Sequence, residues 1–338
     1  MTQKPVIGIT MGDPSGIGPE IILKALSDHE LYNLCTPVVF GDTTVLSKEL
    51  GSASNLTLNE ITAPDKAKGI HGVIDTLSLS KLISDDMIPG KPSINGGKAM
   101  SEYIIKAVDM ASRREIAAMV TCPISKSLLN DAGYHFEGHT QFISHLTDVN
   151  DYVMMLAGDR LRVTLVTIHC ALKDVSANLD KNKIYKTIAI TSKALQRDFG
   201  LENPRIAITA LNPHGSESGL FGSEEEEIII PAIEEARQKA YNVSGPFPAD
   251  TIYHKAISGE YDVVINMYHD QGLIPLKLLH FSDAVNITLG LPIIRTSVDH
   301  GTAYDIAGKG IADPSSLKAA IRMAVEIVKN RARKTNDN

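Results

Sequence analysis

Short apolar runs alternate with amphipathic segments along the chain, and this alternation limits the fold more than any other feature of the sequence. The runs at residues 6–10, 38–41 and 73–79 are typical of buried strands. Between residues 93 and 113 the apolar positions recur with the spacing of a helix. Strands that alternate with helices build a largely parallel sheet covered by helices. We therefore predict an α/β fold.

Length and charge narrow the classes of function. With 338 residues, the chain is long enough for about two domains. A formal net charge of −7 argues against nucleic-acid binding, because no excess of basic residues offsets it. The three cysteines are far apart and suggest a reducing compartment. No stretch approaches the roughly 20 apolar residues of a membrane span, so we expect a cytoplasmic protein.

The stretch from residue 263 to residue 310 places polar side chains where a scaffold would not need them. Lys277 and Arg295 stand among apolar residues. A buried cation without a partner is costly, so these two residues indicate an anionic ligand. The alternative is a pair of structural ion pairs with acids of the same stretch, Asp283 or Asp299.

A glycine-rich turn follows the first strand-like run. It reads MGDPSGIGPE, and a helical pattern comes directly after it. The amino terminus of that helix could hold an anion. However, Gly12, Gly16 and Gly18 do not match G-x-G-x-x-G, so a Rossmann fingerprint is not supported. A tight turn that merely needs glycine explains them equally well.

Three histidines stand just beyond apolar runs. His169 follows TLVTI, His214 follows IAITALNP and His269 follows VVINMY. The carboxyl ends of parallel strands lie along one edge of a sheet, so the three imidazoles could share an ion. Such a set suits zinc and other divalent metals and leaves a position open for substrate. Their spacing is not a motif, and each could instead be an ordinary core or surface residue. Asp270 could orient His269 or accept a proton.

Four consecutive acids at residues 224–227 have two explanations. They could form part of a metal site, or they could lie in the first turn of a helix that Ser223 caps. Acidic side chains are favourable in a first turn because the helix dipole is positive there. We favour the helix explanation.

Eight motifs taken together resemble the PdxA family. In chain order they are GDPSGIGPE, EGHTQF, TIHCALKD, LNPHGSESGLFG, PADT, MYHDQG, VNITLGLP and IRTSVDHGTAYDIAGKG. Members of that family are NAD-dependent 4-hydroxythreonine-4-phosphate dehydrogenases or, in the PdxA2 branch, dehydrogenases of D-threonate or D-erythronate 4-phosphate. The resemblance runs from about residue 6 to residue 324. GIGPE and HGTAYDIAGKGIADP are also similar to isopropylmalate and isocitrate dehydrogenases.

The resemblance implies a fold and an assembly. We expect two α/β/α domains with a cleft between them, as in isocitrate and isopropylmalate dehydrogenases. Residues 1–135 and 285–338 would form the outer domain, and residues 136–284 the inner domain with the metal ligands and dimer contacts. The active site would be shared across the interface of a homodimer.

The resemblance also implies a role for each matching residue. The ligands of one divalent metal (Zn²⁺, Mg²⁺ or Co²⁺), one of them contributed across the dimer interface, would be His169, His214 and His269. The substrate-binding residues would be His139, Thr140, Lys277, Asn286 and Arg295. The NAD-binding residues would be Gly12, Asp13, His300, Gly301, Thr302 and Asp305. The candidates for the base that accepts the proton are Asp250, Asp270 or a metal-bound water, with Lys277 as a further catalytic candidate.

The expected reaction is the NAD-dependent oxidation and decarboxylation of a 4-phosphorylated 3-hydroxy C4 acid. SESGLFG and IPLKLLHFSDAVN favour the PdxA2 branch, whose substrates would give dihydroxyacetone phosphate and CO₂. TCPISK stands where the enterobacterial pyridoxine enzyme has TGPVHK, so a histidine beside the pocket is missing. The alternative is the 4-phosphohydroxy-L-threonine dehydrogenase of pyridoxal phosphate biosynthesis. A more distant one is a metal-dependent hydrolase that does not use NAD.

Overall fold

The computed structural model describes residues 4–51 and 55–336, and over these residues the predicted α/β fold is confirmed. The strands are β1 Val6–Thr10, β2 Thr36–Gly41, β3 Thr57–Ile61, β4 Val73–Ser78, β5 Ala118–Thr121, β6 Val153–Ala157, β7 Arg162–Leu165, β8 Ile206–Thr209, β9 Val243–Phe247, β10 Val263–Asn266, β11 Val285–Leu289 and β12 Arg295–Val298. The α-helices are α1 Gly18–Leu26, α2 His29–Leu34, α3 Thr43–Leu50, α4 Ile94–Ser112, α5 Lys126–Asp131, α6 His139–Leu146, α7 Lys181–Asp198, α8 Ile230–Gln238, α9 Ala249–Ile257, α10 His269–Leu279 and α11 Ser315–Asn336. Among these helices, none combines the length and the apolar character that crossing a membrane would require.

Two compact units make up the chain. The first comprises Met1–Asn150 and Leu291–Lys329, and the second comprises Asp151–Gly290 and Asn330–Asn338. The chain crosses between the units three times, and the first two crossings lie later in the chain than residues 136 and 285, where the resemblance placed them.

The first unit contains a parallel sheet with the strand order β3-β4-β2-β1-β5-β12. Its inner strands are apolar and buried, as expected where helices cover both faces of a sheet. Because β1, β5 and β12 are neighbours, the loops that follow them lie at the same edge. This edge carries the glycine-rich turn and the segment after residue 298.

The second unit contains a mixed sheet with the strand order β11-β6-β7-β10-β8-β9. Strand β6 is antiparallel to both of its neighbours, and β6 and β7 form a hairpin. The remaining pairs are parallel. The core on one face includes Leu156, Val163, Val264 and Leu276. Helix α10, which begins at His269, contributes Leu276 to this core. This packing holds the helix against the sheet.

Candidate active site

The three histidines follow three neighbouring strands. Strand β10 lies between β7 and β8, and all three run in the same direction. His169 follows β7, His214 follows β8 and His269 is the first residue of α10, just after β10. All three residues are therefore carried by loops at the same edge of this sheet.

His169 and His269 lie side by side. Their ring centroids are 5.9 Å apart, with an angle of 40° between the ring planes. The backbone N–H of Thr167 donates to the carbonyl of Met267 at 3.1 Å, and its hydroxyl donates to the same oxygen at 2.7 Å. These bonds continue the pairing of β7 and β10 past the ends of the strands and hold the two loops together. Both imidazoles line a cavity of about 620 Å³.

Asp270 orients the imidazole of His269. A carboxylate oxygen of Asp270 lies 2.7 Å from Nδ1 of His269. An acceptor at that place keeps the proton on Nδ1 and leaves the lone pair of Nε2 available to a ligand. The exposed imidazole of His169 and the half-buried imidazole of His269, which a carboxylate orients, are chemically suited to a divalent transition metal.

Gln271 fixes the turn from which His269 emerges, and the sequence analysis did not identify it. Its side-chain oxygen accepts from Met267 N at 2.8 Å and from the Thr209 hydroxyl at 2.7 Å. Its side-chain nitrogen donates to Ala210 O at 2.7 Å. Gln271 thus ties together the ends of β8 and β10 from a buried position. In the sequence, the position of this polar residue just after His269 was the signal that could have identified it.

His214 lies apart from the other two histidines. Its ring centroid is 6.3 Å from that of Phe221. Within the described parts of the chain, the one group of three side chains whose ligand atoms all lie within 4.8 Å of one another is Asp159, His280 and Asp283. In that group the ring nitrogens of His280 lie 3.3 Å from a carboxylate oxygen of Asp159 and 3.2 Å from one of Asp283. A single chain therefore assembles two of the three predicted metal ligands.

A second cluster, in the first unit, is suited to binding an anion. The Arg295 side chain on β12 is 2% exposed, and its Nη2 donates to the Thr121 hydroxyl at 2.8 Å. Burial lowers the pKa of Arg295 to about 9. His139 begins helix α6, and the next residue, Thr140, is buried. A buried guanidinium beside a hydroxyl and a neutral imidazole can receive a carboxylate or phosphate in two hydrogen bonds.

The imidazole of His139 is held in its neutral form. Burial first, and then the charge of Arg295, lower the pKa of His139 well below its usual range. Its Nε2 is buried and has no hydrogen-bond partner among the described residues. A buried polar atom of this kind is costly until a ligand satisfies it, so His139 is suited to contact substrate.

We expect acid to destabilise the protein through His139. Below about pH 6.5 the unfolded chain gains a proton at this residue and the folded chain does not, so the free energy of unfolding falls as the pH falls. The loss of stability through this residue should begin as the pH falls through about 6.5. Denaturant unfolding should show a shallower pH dependence for His139→Gln than for wild type. His145→Gln, at an exposed position, is the control, and identical slopes for all three proteins would contradict the expectation.

The remaining predicted substrate residues belong to the second unit. Lys277 is half-buried on α10, and its Nζ lies 5.7 Å from the ring centroid of Phe281. Asn286 is half-buried on β11. Asp250 is exposed in the first turn of α9.

The two loops predicted to bind NAD contact each other within the first unit. The backbone N–H of Ile17 donates to the carbonyl of Thr302 at 3.0 Å. Gly12 has a φ of +72°, and a Cβ there would lie 2.2 Å from the carbonyl oxygen of Pro123, so the turn needs glycine. The other predicted NAD residues of the second loop are at least partly accessible: His300, Gly301, Thr302 and Asp305.

Asp13 and Tyr304 join these loops through their side chains. Asp13 accepts a hydrogen bond from the Tyr304 hydroxyl at 2.5 Å and another from Ser15 N at 2.9 Å. Burial raises the pKa of Asp13 and outweighs both bonds. The predicted cofactor residue Asp13 therefore holds the loop in place from a buried position. Tyr304, which the sequence analysis did not single out, is its partner.

The four consecutive acids are only partly explained by a helix start. Three of them lie in the first turn of a π-helix, Glu225–Ile229. The N-cap residue of this π-helix is Glu224, which makes no side-chain cap bond, and the carbonyl of Ser223 accepts from Glu227 N at 2.9 Å. Glu225 is 1% exposed and does not face solvent. A helix start therefore accounts for the exposed Glu226 and Glu227 but not for the buried Glu225.

Comparisons with known proteins agree with this architecture. Residues 33–324 match the family model described as "Pyridoxal phosphate biosynthetic protein PdxA". A 4-hydroxythreonine-4-phosphate dehydrogenase from Desulforapulum autotrophicum is 53% identical, over 95% of each chain. A D-threonate 4-phosphate dehydrogenase from Cupriavidus necator is 45% identical, over 97% of this chain and 98% of the other. A crystal structure of 4-hydroxythreonine-4-phosphate dehydrogenase from Klebsiella pneumoniae aligns with a TM-score of 0.90 at 39% identity, over 97% of this chain and 99% of that one.

These relatives are dehydrogenases, and the fold and the sequence place this chain in the same class of oxidoreductase. The chain belongs to the PdxA family, as its motifs predict.

Proposed function

We propose that the chain is an NAD-dependent, divalent-metal-dependent dehydrogenase that oxidises and decarboxylates a 4-phosphorylated 3-hydroxy C4 acid. The substrate is D-threonate 4-phosphate or D-erythronate 4-phosphate, and the products are dihydroxyacetone phosphate and CO₂. The observation that carries this proposal is the pair of His169 and His269, with Asp270 on Nδ1 of His269, at the edge of a cavity. The name of the Cupriavidus necator relative supports the choice of substrate.

The residues that we assign to substrate binding have charges that complement the anionic substrate. Arg295 and Lys277 bind its anionic groups, and His139 contributes an imidazole whose neutral form avoids repulsion by the guanidinium of Arg295. Binding energy at the phosphate, far from the reacting carbon, serves to position that carbon. Asn286 adds amide hydrogen bonds to the substrate hydroxyls.

The residues around C3 move protons and hold the reacting groups. His169 and His269 would hold a divalent ion, and its charge would lower the pKa of the C3 hydroxyl. Asp250 accepts the hydroxyl proton while the C3 hydride leaves for NAD. Asp270 keeps its bond to His269 throughout. When the carboxylate leaves as CO₂, the electrons of the broken bond pass to the C3 oxygen, and C2 is then protonated.

The third metal ligand comes from a second copy of the chain. His169 and His269 of one protomer leave a position that the partner's His214 completes across a homodimer interface. Support comes from the exposure of His214 and from the fact that, within the described residues, it does not join the other two imidazoles in a group whose ligand atoms all lie within 4.8 Å of one another.

A second candidate substrate is 4-phosphohydroxy-L-threonine, and the name of the Desulforapulum autotrophicum relative at 53% identity favours it. The two classes of substrate differ at C2, where one carries a hydroxyl and the other an ammonium group. An ammonium group needs an acidic or strongly accepting partner that a hydroxyl does not need. The guanidinium charge of Arg295, which already disfavours a protonated His139, would also repel a C2 ammonium group, and this favours the substrates with a C2 hydroxyl.

A substrate panel tests the proposal. D-threonate 4-phosphate, D-erythronate 4-phosphate and 4-phosphohydroxy-L-threonine are each incubated with NAD and Mg²⁺, Zn²⁺ or Co²⁺, and NADH absorbance is followed. We expect one of the first two to exceed the third in kcat/KM by at least about tenfold, and a chelator to stop turnover. Turnover of 4-phosphohydroxy-L-threonine alone would reverse the choice of substrate. Hydrolysis of a phosphoester without NADH formation, and no thermal shift with NAD, would indicate a hydrolase instead.

A further inference from the structure

The loop that carries His214 has an unusual backbone. All six residues from 214 to 219 have positive φ values, including 55° at His214, 68° at Ser216, 45° at Glu217 and 59° at Ser218. Residues with a side chain rarely adopt this left-handed region, and single occurrences are the rule. A run of such residues persists only where surrounding contacts hold it.

Glu225 supplies the contacts at the start of this loop. One of its carboxylate oxygens accepts hydrogen bonds from the backbone N–H groups of Leu211 and Asn212, each at 2.8 Å. The other accepts from the side-chain nitrogen of Asn212 at 2.9 Å. Three donors on a single carboxylate define the path of the chain just before His214, because such bonds to an ionised acceptor are short and strong.

Glu224 holds the same segment from its other side. It accepts from the side-chain nitrogen of Asn212 at 2.7 Å and from the Ser176 hydroxyl at 2.7 Å. The bonds from Ser176 and then Asn212 lower the pKa of Glu224. Gly222 leaves room for this contact, since a Cβ there would lie 2.5 Å from the carboxylate of Glu224 and 2.6 Å from the amide of Asn212. The side chain of Asn212 thus lies between two carboxylates.

A helix start alone does not account for these acids. Glu226 and Glu227 are exposed, as acids that only complement a helix dipole would be. Glu225 is 1% exposed. A buried carboxylate is costly unless donors satisfy it, and here the donors all come from the loop that leads to His214.

We propose that Glu225 is a positioning residue for His214. Its carboxylate fixes the backbone at residues 211 and 212, so the left-handed run presents the His214 imidazole at the surface in one orientation, ready to bind the divalent ion of the partner protomer. This role rests on the proposed function, since it needs His214 to be a metal ligand.

The test is cobalt binding to the full-length protein, with Glu225→Gln as the variant and Glu226→Gln as its matched control. The glutamine keeps the volume but puts an N–H group where the loop offers only donors. We expect Glu225→Gln to weaken Co²⁺ binding by about 10- to 100-fold in calorimetry, and to change the visible absorption spectrum of the bound cobalt. Glu226→Gln should match wild type in both measurements.

A second variant covers the case in which Glu225→Gln fails to fold. Asn212→Ala removes the side-chain bonds to both carboxylates and leaves the backbone bonds to Glu225, so we expect a smaller weakening of cobalt binding in the same direction. Wild-type cobalt affinity and spectrum in a folded Glu225→Gln, or in Asn212→Ala where Glu225→Gln does not fold, would overturn the positioning role alone. A wild-type protein that binds no cobalt would overturn the proposed function and this role together.

Discussion

Replacing His269 with alanine is expected to lower kcat/KM by at least about a thousandfold and to leave the fold intact. A bound divalent ion stabilises the developing charge by several kcal/mol, and each ~1.4 kcal/mol corresponds to a factor of ten in rate. The side chain of His269 is 37% exposed and Asp270 is its hydrogen-bond partner at Nδ1, so its removal takes little from the core. Steady-state kinetics with saturating metal, together with circular dichroism, measure the two effects separately.

His254→Ala is the matched control, because His254 is also an exposed histidine of the second unit and lies outside the predicted ligand set. We expect it to retain the kinetics of wild type. A His269→Ala variant within about tenfold of wild type would show that this imidazole is not a metal ligand in catalysis. Undiminished turnover of the wild-type protein in excess chelator would lead to the same conclusion.

Replacing Arg295 with methionine should lower kcat/KM by about a hundredfold to ten-thousandfold, because the substrate loses a buried, charge-assisted contact that is typically equivalent to about 3–5 kcal/mol. The folded protein without ligands should be no less stable, since burial of this guanidinium is itself unfavourable, as its lowered pKa shows. The two measurements are initial rates over a range of substrate concentrations and denaturant unfolding of the unliganded protein.

Two further variants sharpen this prediction. Arg295→Lys keeps the charge but not the planar pair of donors, so we expect it to recover only a small part of the lost activity. Arg113→Met removes a guanidinium that is 65% exposed and pairs with Asp109, and it should behave as wild type. Normal kinetics in Arg295→Met, or a large loss of stability, would assign Arg295 a structural role instead.

Local sequence patterns were sufficient to predict the α/β class of the fold. Apolar runs such as those in β1 and β10 indicated buried strands, and the structure confirms the α/β fold that their alternation with helices predicts. The same reasoning located His169, His214 and His269 just after strands, and those strands proved to be neighbours. Both predictions depend only on the period of the apolar residues along the chain.

What the sequence could not reveal depends on contacts between distant residues. Glu225 looks like any acid in the first turn of a helix, and only the structure shows its bonds to Leu211 and Asn212. Gln271 and Tyr304 are similar, since each joins loops that the sheet order brings together. The left-handed backbone of residues 214–219 could not be predicted either, because four of these six residues are not glycine.

Mixed dimers test the central claim, that His169 and His269 of one protomer share a divalent ion with the partner's His214. On this arrangement His214→Ala and His269→Ala are each inactive, but a dimer with one subunit of each kind retains one intact site. After subunit exchange in an equal mixture, with heterodimers verified by native mass spectrometry of differently tagged subunits, we expect about a quarter of the wild-type specific activity. Heterodimers that form but are no more active than the two variants measured separately would contradict the shared site.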